Sequence, residues 1–307
     1  MGQAVDDLEG ERLPAALPEV VDAHVHVFPD RLFAAVRRWF DSYGWPIRYR
    51  LGSREVIDFL LGRGVGHLVA LQYAHKPGIA RGLNEYMAEL CGSSPRLVGA
   101  ATVFPGEEGA VAILEDAFAA GLRLVKMHCH VQCMAPDAPE MHEVYAACAR
   151  AGRPLVIHAG RGPHSPHYRC DTDALCAASR VERVLLDHPR LQLVVPHLGF
   201  DETDDYERLL ERHDNLWLDT TMAAADYFPI PYPSRLLRAR PERIMYGSDF
   251  PNIPYAWDRE IRKLTALGLP ERDLAALLGG NARALHRIEH AGGPPDRSRD
   301  ALGRPTG

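Results

Sequence analysis

The segment VVDAHVHV, starting at Val20, decides how the rest of the chain is read. Small and β-branched residues alternate there with Asp22, His24 and His26. With a side-chain period of two, these three polar groups are expected on one face of a single strand. Seven further short apolar runs follow it: HLVALQ from His67, LVGAATV from Leu97, LRLVKMH from Leu122, PLVIH from Pro154, LQLVVPH from Leu191, NLWLDTT from Asn215 and RIMYGSD from Arg243. The intervening stretches carry helical patterns, such as PGIARGLNEYMAELCG, EEGAVAILEDAFAAG and PEMHEVYAACARAG, each ending in a Gly where a helix C-terminus is expected. Strand and helix alternate throughout, which predicts parallel strands. Eight such units in about 250 residues match a (β/α)₈ TIM barrel, in the α/β class, better than an open doubly wound sheet. No G-x-G-x-x-G or G-x-x-x-x-G-K-[ST] follows the first run, so a phosphate-binding signal is absent.

The organisation read from the sequence is an N-terminal extension over residues 1–18, one barrel domain over 19–288, and a polar Gly, Pro and Arg-rich tail over 289–307 expected to be mobile. The first dozen residues look similar and are likewise expected to be loose. A formal charge of −6 and the absence of a basic stripe argue against nucleic acid as a partner. No stretch reaches the ~18 apolar residues of a membrane span or the apolar core of a signal peptide, so a soluble cytoplasmic protein is expected. Its partner is then a small molecule, with a homodimer as the default assembly. Six cysteines lie without any C-x-x-C pair, which reads as reduced, mostly buried thiols.

In a TIM barrel, chemistry sits where the strands end. Run one ends on His24 and His26, run five on His158, run six on His197 and run eight on Asp249. Imidazole and carboxylate are the ligands of choice for Zn²⁺ and similar ions, and three or four of them leave a position open for water. His24, His26, His158 and Asp249 satisfy that count. Asp22 is placed to orient one of these histidines through a hydrogen bond. Cys129 beside His128 does not read as a nucleophile with its base, because adjacent strand residues face opposite ways.

Taken in order, VDAHVHVF, RLVKMHCHVQ, VIHAG, VPHLG, YGSDFP and GGNARAL resemble the amidohydrolase superfamily, and within it the amidohydrolase-2 branch, over roughly residues 19 to 288. The resemblance implies a metal-dependent barrel in which His24, His26, His158 and Asp249 bind the ion. It also implies that His197 either ligates a second ion or polarises the substrate, and that Asp249 takes the proton of a metal-activated water. Lys126 shares strand parity with Leu124 and His128. The resemblance offers it a carbamylated, metal-bridging role in binuclear members; otherwise it pairs with Asp249 or with a substrate carboxylate. One or two divalent ions per chain are implied, with Zn favoured and Mn, Fe or Co accepted.

His128 continues the same face as Lys126, and His75 follows run two, so both are candidates to line the cavity. The loop RGPHSPHYRCDTD adds Arg161 and His164 as candidate substrate-binding residues at the barrel mouth. Asn281 is expected to cap a short helix. The implied reaction is hydrolysis of a C–N or C–O bond in an amide, lactam, lactone or ester. The alternative is non-oxidative decarboxylation of a small, often aromatic, acid. PHLGFDE after run six lacks the Gly-Gly-rich stretch usual in decarboxylases of the branch, and the HAG turn after run five tilts the reading toward hydrolysis. A binding protein on a decayed barrel would have lost ligands, and none is missing.

Overall fold

The computed structural model describes residues 6–228 and 234–289. Eight strands form one parallel sheet in sequential order: β1 (Val21–His26), β2 (His67–Leu71), β3 (Leu97–Ala101), β4 (Leu124–His128), β5 (Leu155–His158), β6 (Leu193–Val195), β7 (Leu216–Asp219) and β8 (Ile244–Met245). The sequential order excludes a doubly wound sheet. Backbone bonds from Ala23 N–H to the Tyr246 carbonyl (3.0 Å), from Asp249 N–H to the His24 carbonyl (2.9 Å) and from His26 N–H to the Phe250 carbonyl (2.8 Å) join the last strand to the first. A closed barrel leaves no free sheet edge.

Alternate residues of every strand supply two apolar layers. Val21, Val69, Val98, Leu124, Val156, Val194, Trp217 and Met245 form the lower interior of the barrel, plugged by Ala282 and Ile288. The other parity, including Leu68, Val125, Ile157 and Leu218, faces the surrounding helices. Those helices bury one stripe each, as Leu83, Met87 and Leu90 do in Ala80–Gly92.

One local feature departs from simple alternation. Val21 and Ala23 belong to the interior layer whereas Val25 belongs to the outer one, and the β1–β2 register shifts between Asp22 and Val25. A bulge therefore resets parity inside β1. His24 and His26 point inward after it, but Asp22 does not share their face, which corrects the reading of three aligned polar groups. Asp22 Oδ1 instead accepts the backbone N–H groups of His24 (3.1 Å) and Ser248 (3.0 Å), fastening the bulge to the β8 loop.

Two flanking expectations also change. The N-terminal extension is bound rather than loose: Asp7 pairs with Arg259 (2.8 Å), Glu9 with Arg48 (3.2 Å), and the Trp257 indole N–H donates to the Gly10 carbonyl (3.0 Å). Asn281 caps nothing; its amide donates to the Pro241 and Ile244 carbonyls, tying the last helix to β8. Apart from Glu289, the tail lies outside the described residues. Among the described residues no helix is long and apolar enough to cross a membrane.

Candidate metal centre

Each inward residue at a strand end is buried, so its hydrogen bonds decide what it can do. His26 Nε2 lies 3.1 Å and His24 Nε2 3.6 Å from Asp249 Oδ1. Among the described residues, these are the three whose ligand atoms lie mutually within 4.8 Å. Burial by itself raises the Asp249 carboxyl, but the charge and hydrogen bond of His26, with His24 and His197 nearby, override it and hold the group down at about 2. Asp249 is thus a carboxylate at neutral pH. Its φ of 67° lies in the left-handed region, a cost tolerated only where surrounding bonds enforce it. Gly247 lets this turn pass close to β1, because a Cβ there would stand 2.8 Å from His24 Cβ.

His24 is braced from behind. Its Nδ1–H donates to Asp219 Oδ2 at 2.9 Å, which leaves Nε2 as a lone pair. Sequence reasoning passed over Asp219, although the rule that found the other ligands applies to it equally: it ends β7 on the inward parity of Trp217. Lys126 Nζ is 3.2 Å from that same His24 Nε2 and makes no ion pair with Asp249. The ammonium therefore competes for the lone pair a metal would take. Burial, partly offset by Asp219 and Asp249, lowers Lys126 to about 8.

His158 and His197 give the test of metal fit. A carbonyl oxygen only accepts, so His158 Nε2, 3.2 Å from the Gly162 carbonyl, carries the proton, as does His197 Nδ1, 2.7 Å from the Thr221 carbonyl. The remaining nitrogens, His158 Nδ1 and His197 Nε2, then face each other as lone pairs at 3.2 Å. That contact repels unless a cation joins it. Burial lowers both imidazoles, with His128 and His130 adding to the effect at His158, so a shared proton is disfavoured. A divalent cation is the group that fits, since two nitrogens at ~2.1 Å from one tetrahedral ion lie roughly 3.4 Å apart. The same assignment leaves neutral His197 without a free N–H for a substrate oxygen, so its geometry agrees with the implied ligand role and not with carbonyl polarisation.

Beyond this centre lies a cavity of about 510 Å³. Tyr73 and His128 form its inner wall; Tyr73 is 6.0 Å ring to ring from His26, and His128 stacks on His158 at 4.2 Å. Trp39, Phe40 and Tyr168 supply aromatic walls, while His75, Lys76, His167 and Arg169 add cationic or titratable groups. Burial holds the Tyr73 and Tyr168 phenols well above their usual range, so both remain hydrogen-bond donors. His75 and His128 both line this cavity. Arg161 and His164 do not line the cavity: Arg161 forks onto Asp201 (3.1 and 3.2 Å) with Glu202 at 3.5 Å, and His164 is an exposed neighbour of Asp173. The part of that loop facing the cavity is His167, Tyr168 and Arg169.

Residues 21–288 match the amidohydrolase family. The chain belongs to that family. Similar folds recur among solved structures. An uncharacterized TIM-barrel protein from Bordetella bronchiseptica superposes with a TM-score of 0.68 at 17% identity, covering 87% of this chain and 98% of that one. A 5-carboxyvanillate decarboxylase from Novosphingobium aromaticivorans, crystallised with manganese and 4-hydroxy-3-methoxy-5-nitrobenzoic acid, gives 0.65 at 16% identity, covering 94% and 100%. A putative 2-pyrone-4,6-dicarboxylic acid hydrolase from Pseudomonas putida gives 0.63 at 18%, covering 89% and 99%. No curated protein matches the sequence. Structural neighbours of this amidohydrolase thus include both a decarboxylase and a hydrolase, and at such identity they establish the barrel alone.

Proposed function

We propose that this amidohydrolase is a cytosolic metal-dependent hydrolase that opens a C–N or C–O bond, as in an amide, lactam, lactone or ester, of a small anionic substrate. His24, His26 and Asp249 would hold one ion, and the facing His158 Nδ1 and His197 Nε2 offer a place for a second. The N/O donor set favours Zn²⁺ and accepts Mn²⁺, Fe²⁺ or Co²⁺. When bound, such an ion polarises a carbonyl and brings a water's pKa toward ~7.

The observation that carries the hydrolytic reading is the ionised state of Asp249. Held low by His26, Asp249 carries no proton to give to carbon at neutral pH, and although a weak base it would serve as proton acceptor for a water that a bound ion has made acidic. Asp249 would pass that proton to the leaving group. Asp219 keeps the His24 lone pair aimed inward, and the Tyr73 and Tyr168 phenols together with Arg169 orient the substrate's polar groups. The aromatic walls of Trp39, Phe40 and Tyr168, combined with nearby cations, favour a second reading, decarboxylation of an aromatic acid. A panel of lactones, esters, amides and aromatic acids, assayed on metal-loaded protein for new carboxylate and for carbon dioxide, separates the two. Hydrolysis of at least one class is expected, whereas carbon dioxide release without any hydrolysis replaces the first reading by the second.

A further inference from the structure

Four of the six cysteines gather around one residue that the chemistry above leaves unused. Cys129 and Cys133 belong to the turn of helix following β4, Cys170 and Cys176 to the segment after β5, and His130 lies between them. The Cys133 and Cys170 thiols both donate to a single acceptor, the His130 carbonyl oxygen, at 3.7 and 3.6 Å. The two thiols also lie within hydrogen-bonding contact of each other, although they are 37 positions apart in sequence. Cys133 is exposed and lines the cavity, and Cys170 is half-buried, so an oxidant can reach both. Cys129, Cys148 and Cys176 are buried, and Cys91, half-buried like Cys170, belongs to the helix Ala80–Gly92 after β2.

We propose that Cys133 and Cys170 form a reversible disulfide that ties the β5 loop to the segment after β4 at the edge of the cavity. The oxidant is hydrogen peroxide. The Cys133 thiolate attacks the peroxide O–O bond, giving a sulfenic acid and releasing one water. The Cys170 sulfur then attacks the Cys133 sulfur, its proton leaving with the sulfenic oxygen as a second water. In total two thiols and one peroxide become one disulfide and two waters. Exposure assigns Cys133 the first step, and burial together with Cys133 pushes the Cys170 thiol up to about 12, which disfavours it as the first attacker. His167, Tyr168 and Arg169 immediately precede Cys170 and line the cavity, so the bond fixes the wall that meets substrate. The inference is independent of which bond the enzyme breaks.

The test uses the whole protein exposed to hydrogen peroxide while folded, then unfolded in denaturant and alkylated, and read by intact mass and fragmentation of non-reduced peptides. The expected result is loss of two of the six alkylatable thiols, a Cys133–Cys170 link within one chain, and recovery with dithiothreitol. Cys133→Ser and Cys170→Ser should each abolish the link, while Cys129→Ser retains it. Hydrogen exchange over residues 161–171 should slow at least several-fold in the oxidised protein. A link joining Cys129 to Cys176, a link between chains, over-oxidation without any link, or unchanged exchange in the linked form would each overturn the proposal.

Discussion

Two cavities of nearly equal volume, about 510 and 540 Å³, lie at opposite ends of the same barrel. The larger one opens where strands begin, among Leu97, Leu122, Arg96, Arg123 and Ile288, and among the described residues it holds no cluster of ligating groups. The smaller one opens where strands end and leads to His26, His128 and Asp249 through Tyr73. Size therefore does not select the active end; chemistry does. The same eight strands carry an apolar layer below and a polar one above, so the lower half stabilises the fold while the upper half buries groups whose partners must be supplied by geometry. Mutations at the two ends should accordingly separate stability from activity.

The largest effect is expected at the top. Asp249→Asn keeps the volume and removes the charge, and should lower kcat by about 10³-fold through loss of proton transfer, with thermal unfolding little changed. Turnover within tenfold of wild type would remove Asp249 from the proton path. At the bottom, Leu124→Ala should reduce stability by about 3–4 kcal/mol in urea unfolding while kcat stays within about twofold. An equal loss of kcat would break the division between the ends.

A third prediction concerns pH. Burial, reinforced by Arg123, lowers His286 beneath the barrel floor from 6.5 to about 4. The folded state prefers the neutral imidazole, so its contribution is complete above the unfolded value of 6.5 and lost as pH falls through 4. That loss is on the order of 3 kcal/mol. His286→Gln should flatten the stability profile between these limits, and an unchanged slope would assign acid sensitivity to the upper histidines instead. The smallest effect is expected from Asp219→Asn, which should weaken metal binding about 10–100-fold, measured by competition with a chelating indicator, in a barrel that still folds. Unaltered affinity would show that the His24–Asp219 bond does not position the ligand.

Much of the site was legible because the information is local. Strand runs ending in His158, His197 and Asp249 follow from periodicity and from the rule that barrels place chemistry at strand ends. The misreadings share one origin. Parity assigned Asp22 to the ligand face because a bulge, produced by the pairing of β1 with β2, leaves no mark in VVDAHVHV. Arg161 and His164 were assigned to substrate because their loop is polar, whereas Asp201, in a different crossover, claims the arginine. Asp219 was visible as the last residue of LWLD and went unread, since its role appears only once His24, 195 positions away, lies against it.

The sequence by itself determined the eight-unit alternation, the barrel and the inward histidines and carboxylate, because apolar periodicity and strand direction act between neighbours in the chain. Tertiary structure alone decided which nitrogen of each imidazole is free, which thiols meet, and which charges are already paired. Those properties depend on carbonyls, carboxylates and sulfurs delivered from other strands and loops, and only closure of the barrel brings them within hydrogen-bond distance.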